Sequence, residues 1–204
     1  MKPPGSPRLF PDASAPPPAG VHIAHIDGAS RGNPGPASYA VILRRSGGQV
    51  VFELGKRIGR ETNNVAEYYA LLAALDYAVS HGIKALRIRS DSELLVRQMK
   101  GQYRVKSADL KPLYERASKL ARQLEYFAIE HVPREMNREA DGLANAALDG
   151  GDCRSEPPAS PASAARSTGP RRTIRAHIAN GTLIPSEPLE WPDGTEVVLS
   201  IRKP

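Results

Sequence analysis

Between Val21 and Asp149 the spacing of apolar residues changes once, close to Asn63, and that change limits the possible folds more than any other feature of the chain. Upstream of it lie three short runs, Val21 to Ile26, Ala37 to Arg44 and Val50 to Leu54. Short turns join them, among them Ser46-Gly47-Gly48. Side chains that alternate between two faces define strands, and brief connections lay consecutive strands side by side, so an antiparallel meander is expected. Downstream the period lengthens. Val65 to Ser80 carries Leu71, Leu72, Leu75 and Val79 with Ala at many other positions, a helix of about four turns. Asn63 or Asn64 is its expected N-cap. Ala85 to Arg89 reads as a strand, Ser92 to Lys100 as a helix stopped by Gly101, and Ser107 to Leu124 as a longer helix. Phe127 to Val132 is a strand and Glu135 to Leu148 an Ala-rich helix. The order β-β-β-α-β-α-α-β-α implies an α/β fold, a mixed sheet with helices on its faces.

Four acidic residues stand where a solvated-surface reading fits poorly. Asp27 and Asp91 each end a strand in this reading, and neighbouring strands that finish at one rim bring such residues together. Glu67 lies in the first turn of the long helix, and Asp141 in the last helix, seven residues after Arg134. Taken singly, Glu67 reads as a partner of the helix dipole and Asp141 as one more helix-surface charge. Taken together they describe a hard-cation site, since Mg²⁺ prefers oxygen ligands. Clustered carboxylates repel one another unless a cation sits among them.

The residues around these acids resemble a known family. Asp27-Gly28-Ala29-Ser30-Arg31-Gly32-Asn33-Pro34-Gly35 is similar to the first-strand motif of type 1 ribonuclease H. Thr62-Asn63-Asn64-Val65-Ala66-Glu67 resembles its TNNxxE motif, and Ser90-Asp91-Ser92 its fourth-strand motif. Arg134 to Asp141, followed by Leu143-Ala144, resembles its final motif. The four occur in family order between Val21 and Asp149. The resemblance implies the ribonuclease H fold, a five-stranded mixed sheet with flanking helices. It also implies Asp27, Glu67, Asp91 and Asp141 as metal ligands. The implied reaction is two-metal hydrolysis of the RNA strand of an RNA/DNA hybrid, with two Mg²⁺ or Mn²⁺ ions and with 5′-phosphate and 3′-hydroxyl products. Many members place a His before the last helix. Here that loop is Val132-Pro133-Arg134-Glu135, as in the archaeal-type subgroup, where an Arg occupies the position of Arg134. Arg is no base at neutral pH, so its expected part is to hold phosphate or assist product release. His131 reads as a strand residue.

For substrate, Asn33, Asn63 and Asn64 suit turns and a helix start by their own chemistry. The resemblance adds contacts to the hybrid's minor groove, including the ribose 2′-hydroxyls that separate RNA from DNA. Thr62, near a helix N-terminus, and Arg31 are phosphate candidates. The basic protrusion that some bacterial members insert has no counterpart, because Gly101 to Ser107 runs straight to the next helix with only Arg104 and Lys106 in the gap.

The rest of the chain is punctuated. Residues 1–20, rich in Pro and Ala without an apolar core, read as a disordered tail. Residues 21–149 form the nuclease-like block, 150–170 a flexible linker, and 171–204 a small β-rich unit. In that unit Thr173 to Ile178, Thr182 to Ile184 and Thr195 to Ile201 read as strands, with Asn180-Gly181 as a hairpin turn. Its pattern resembles a small antitoxin-like β-domain. A unit this small buries little apolar area, so pairing with a second copy, a homodimer, is the favoured expectation, beside docking on a partner protein or a monomeric appendage. The formal charge of +6 permits nucleic-acid binding, and most of the excess falls in residues 21–149. One cysteine, Cys153, and no Cys/His cluster suit a reducing cytoplasm, and no run approaches a membrane span. Two competing readings are a nucleic-acid-binding module without turnover and a toxin–antitoxin partner protein. The four carboxylates and the length of the nuclease-like block favour the enzyme over both.

Overall fold

A computed structural model of the chain describes residues 18–150, 153–155, 176–179 and 182–185. The meander is present as β1 (His22–Ser30), β2 (Gly35–Arg44) and β3 (Val50–Glu61). The alternating part follows as α1 (Asn63–Ser80), β4 (Ala85–Ser90), α2 (Glu93–Met99), α3 (Leu110–Ala121), β5 (Tyr126–His131) and α4 (Arg138–Leu148). β1 pairs antiparallel with β2, and β2 with β3, whereas β1–β4 and β4–β5 are parallel. The five expected strands thus form one mixed sheet, as in the ribonuclease H fold. A sixth strand, β6 (Cys153–Ser155), lies within the segment read as a linker and pairs antiparallel with β3 at the sheet edge, giving the order β5-β4-β1-β2-β3-β6.

Several boundaries differ from the sequence reading. Asp27 does not end β1, which continues to Ser30 because its partner β2 runs on to Ala37 opposite it. β3 likewise extends through the charged stretch Lys56–Glu61. That stretch keeps its ladder with β2 while Lys56, Arg57 and Arg60 face solvent. Thr62, rather than Asn63 or Asn64, caps α1, its side chain accepting the Val65 N–H at 3.3 Å. The helix expected over Ser107 to Leu124 is confined to α3. The one expected from Glu135 is a 3₁₀ turn, Arg134–Met136, followed by α4.

Helix α1 buries ten of its residues, among them Leu71 and Leu75 at 0% exposure, against the sheet and α3. Each such leucine contributes about 1.5–3 kcal/mol of burial free energy. Helix α4 packs on β1, β2 and β3 through Ala140, Ala144, Ala147 and Leu148, one stripe at helical spacing. Small side chains allow close approach, and the buried Ser38 hydroxyl donates to the Ala144 carbonyl at 2.6 Å. Gly55 lies on the same interface in tight contact, since a Cβ there would lie 3.0 Å from the Leu143 side chain, which would have to shift. Among the described helices none is long and apolar enough to cross a membrane.

The chain divides into two compact units between Pro158 and Ala159. In the second, β7 (Ala176–Ala179) and β8 (Thr182–Pro185) pair antiparallel, with Ala179 opposite Thr182, in agreement with the expected hairpin. The third strand expected over Thr195 to Ile201 lies outside the described residues, as do most of the tail and the linker.

Candidate active site

Asp27 lies on β1, on the opposite pleat from Gly28, and β1 touches α1 at Gly28. A Cβ on Gly28 would lie 2.4 Å from the Glu67 nitrogen and 2.9 Å from its Cα, so glycine is what lets the first turn of α1 close on β1. That approach delivers Glu67. Asp91 follows β4 directly, and its neighbours brace it. The Ser90 hydroxyl accepts the Ser92 N–H at 3.1 Å, and Ser92 caps α2 by accepting the Leu95 N–H at 3.5 Å.

These three elements bring Asp27, Glu67 and Asp91 together, with one carboxylate oxygen of each within 4.8 Å of the others. Asp27 is 4% exposed and Glu67 5%. Burial pushes the Asp27 carboxyl up to about 8, helped by the charges of Asp91 and Asp141 and opposed by Arg134. Burial, then Asp27 and Asp91, likewise hold Glu67 well above the usual carboxylate range, against a hydrogen bond from Asn63. Glu67 Oε2 is buried with no hydrogen-bond partner. An orphaned buried carboxylate oxygen beside two more acids is unfavourable as it stands and is the donor set a hard divalent cation takes. The residues present therefore fit a metal ion.

Asp141 stands apart from this group. It projects from the first turn of α4, and Arg134 Nη2 meets its Oδ1 at 2.9 Å. Arg134 is itself 72% exposed and, with Glu135, Arg138 and Asp141, lines an open cleft of about 450 Å³. His131 is an exposed residue of β5, as its sequence position suggested.

The residues considered for substrate lie close by. The Asn33 side-chain oxygen accepts the Asn63 N–H at 3.3 Å, tying the β1–β2 loop to the start of α1. Thr62 uses its oxygen in the helix cap, which leaves the hydroxyl proton available to a ligand oxygen. Asn63 and Asn64 are half-buried in the first turn. Arg31 is exposed and paired with Asp149, the C-cap of α4.

Sequence reasoning missed one residue of this neighbourhood. Asn137, 1% exposed, donates from Nδ2 to the Ile26 carbonyl at 2.9 Å and to Asp91 Oδ1 at 3.0 Å. Its place four residues before Asp141 was visible, but an amide inside an expected helix gave no sign of burial.

A ribonuclease H-type sheet carrying a close carboxylate trio at the β1–α1–β4 junction defines a class of nucleic-acid-processing domains. Residues 25–147 match the reverse transcriptase-like family, and the chain belongs to it, carrying a type 1 ribonuclease H-like domain. A protein named ribonuclease HI from Halobacterium salinarum is 46% identical over 129 residues, 63% of this chain and 64% of that protein. A bifunctional protein of Mycobacterium tuberculosis is 48% identical over 62% of this chain and 35% of its own length. The chain thus spans less than two thirds of the length of each of these two relatives. Among solved structures, RNase H1 from Halobacterium salinarum has a TM-score of 0.62 at 45% identity, covering 65% of this chain and all of that one. A metagenomic RNase H1 crystallised with an RNA/DNA hybrid has a TM-score of 0.60 at 40% identity, covering 63% and 97%.

Proposed function

We propose that the domain hydrolyses the RNA strand of RNA/DNA hybrids with two divalent ions, Mg²⁺ or Mn²⁺, leaving 5′-phosphate and 3′-hydroxyl ends. The observation that carries this reading is the trio of buried Asp27 and Glu67 with half-buried Asp91, and its orphaned Glu67 oxygen. The hybrid bound to the metagenomic relative supports the choice of substrate. Asp27, Glu67 and Asp91 would hold the ions, with Asp141 joining them when Arg134 turns to substrate. Such ions, when bound, supply an activated water and stabilise charge on the phosphate and leaving oxygen.

The chain's own residues do the rest. Arg134, always protonated and at the rim, holds a phosphate oxygen or draws the product away, in keeping with the archaeal-type subgroup. Asn33, Asn63 and Asn64, drawn together by the Asn33–Asn63 bond, offer amides to ribose hydroxyls and base edges in the minor groove. Thr62 donates its free hydroxyl proton to a phosphate of the DNA strand, and Arg31 adds charge at the same loop once it leaves Asp149. The reaction fits a reducing cytoplasm. The test is cleavage of end-labelled RNA as hybrid, as duplex RNA and as single strand, each with Mg²⁺ or Mn²⁺. Cleavage of the hybrid is expected, and hybrid left intact with either metal contradicts the proposal.

A separate proposal concerns the C-terminal unit. Two strands alone are marginal, and among the described residues β7 and β8 pair with no third strand. Pairing with a second copy would stabilise a unit this small, in line with its antitoxin-like pattern. Light scattering should give a dimer for the full chain and a monomer for residues 1–158, whereas monomers in both would remove the idea.

A further inference from the structure

The β1–β4 ladder runs in register from His22↔Leu86 to His25↔Arg89 and stops one residue short of Ile26. At that point the Asn137 side chain takes over. Its Nδ2 donates one hydrogen to the Ile26 carbonyl, at 2.9 Å, and the other to Asp91 Oδ1, at 3.0 Å. The amide has one possible orientation. Both partners only accept, so the NH₂ end must face them. Asn137 is fixed in turn by its backbone. Its N–H donates to the Arg134 carbonyl at 2.9 Å, and its carbonyl accepts the Asp141 N–H at 3.0 Å, opening α4. One buried side chain therefore joins the residue before Asp27, the carboxylate of Asp91 and the helix that carries Asp141.

We infer that Asn137 is a positioning residue for the metal centre: it holds one oxygen of Asp91, and through that bond sets the orientation in which the carboxylate meets Asp27 and Glu67. This rests on the metal-site reading above. Two features separate it from a general packing residue. Its side chain is a donor where β1 and β4 cease to pair, so it maintains the gap in which the two carboxylates stand. It contacts Asp91 at the acid itself rather than at its backbone. Partners that orient a ligand without touching the metal commonly change metal affinity by about 10–100-fold when removed.

The experiment is calorimetric titration of the metal-free full chain with Mn²⁺, for wild type, Asn137→Ala and Asn137→Ser, with thermal melting in EDTA alongside. Asn137→Ser keeps a hydroxyl donor in a smaller side chain and guards against a fold lost to the cavity. Folded variants should bind Mn²⁺ about 10–100-fold more weakly. Their cleavage of a hybrid should need correspondingly more Mn²⁺ and recover towards wild type at saturation, with KM for the hybrid unchanged. A variant that melts earlier yet binds Mn²⁺ like wild type makes Asn137 a stability residue only and overturns the inference. So does lost turnover that saturating Mn²⁺ fails to restore. Wild type that takes up no Mn²⁺ overturns the metal-site reading itself, a result distinct from either.

Discussion

A Cβ at position 28 would stand 2.4 Å from the backbone nitrogen of Glu67. The contact is backbone to backbone, so no side-chain rotation relieves it. Gly28→Ala should push the first turn of α1 off β1 and carry Glu67 away from Asp27. The expected loss of stability is about 1–3 kcal/mol, the usual cost of overpacking, together with reduced cleavage. Urea denaturation checks the first and a hybrid cleavage assay the second. Wild-type values in both would mean that α1 accommodates the methyl group freely.

Arg134 and Asp141 form an exposed ion pair at the mouth of the site. Such a pair adds little to stability. Its expected importance is kinetic, because the exposed guanidinium lines the cleft beside Asp141 and can meet a phosphate there. Arg134→Ala should melt like wild type and slow cleavage by roughly 10–1000-fold without abolishing it, the range of one lost electrostatic contact. Arg134→Lys should recover part of the loss. Unchanged single- and multiple-turnover rates would take Arg134 out of the mechanism.

The buried acids make a pH prediction with a definite sign. Asp27 has its pKa raised to about 8, chiefly by burial and then by Asp91 and Asp141, and Glu67 is raised in the same direction. In the unfolded chain both titrate near 4. Between these values the metal-free native state binds more protons than the unfolded one, so stability falls as pH rises. The contribution is full below about pH 4 and is lost as pH passes about 8. Urea midpoints in EDTA should therefore decline between about pH 5 and pH 8.5, and Mg²⁺ should flatten the decline by taking the place of protons. Asp27→Asn should flatten it without metal. A midpoint that rises across this window would contradict the burial and crowding of Asp27.

Much of this site was legible in the sequence because its chemistry is local. Glu67 and Asp91 sit near a helix start and a strand end, and the motifs that contain the carboxylates are contiguous. What escaped depends on pairing. The charged run Lys56–Glu61 carries no apolar alternation, so only its ladder with β2 makes it strand. β6 has three residues, too few for any period, and exists through its partner β3. Thr62, Asn63 and Asn64 are all good caps, and the choice among them rests on which hydroxyl or amide reaches Val65. Arg31 looked free for phosphate until α4 placed Asp149 against it, more than a hundred residues away. Asn137 became informative only when the end of the β1–β4 ladder was seen to need a donor.

The central claim is that Asp27, Glu67 and Asp91 hold metal for hydrolysis of RNA in a hybrid, and Asp91→Asn tests it most directly. The substitution keeps the volume of the side chain and removes one of three crowded acids, so the metal-free protein should melt no lower than wild type. Single-turnover cleavage of an RNA/DNA hybrid, measured with the same Mg²⁺ concentration for both proteins, should fall to background. Turnover close to wild type by a folded Asp91→Asn protein would contradict the account.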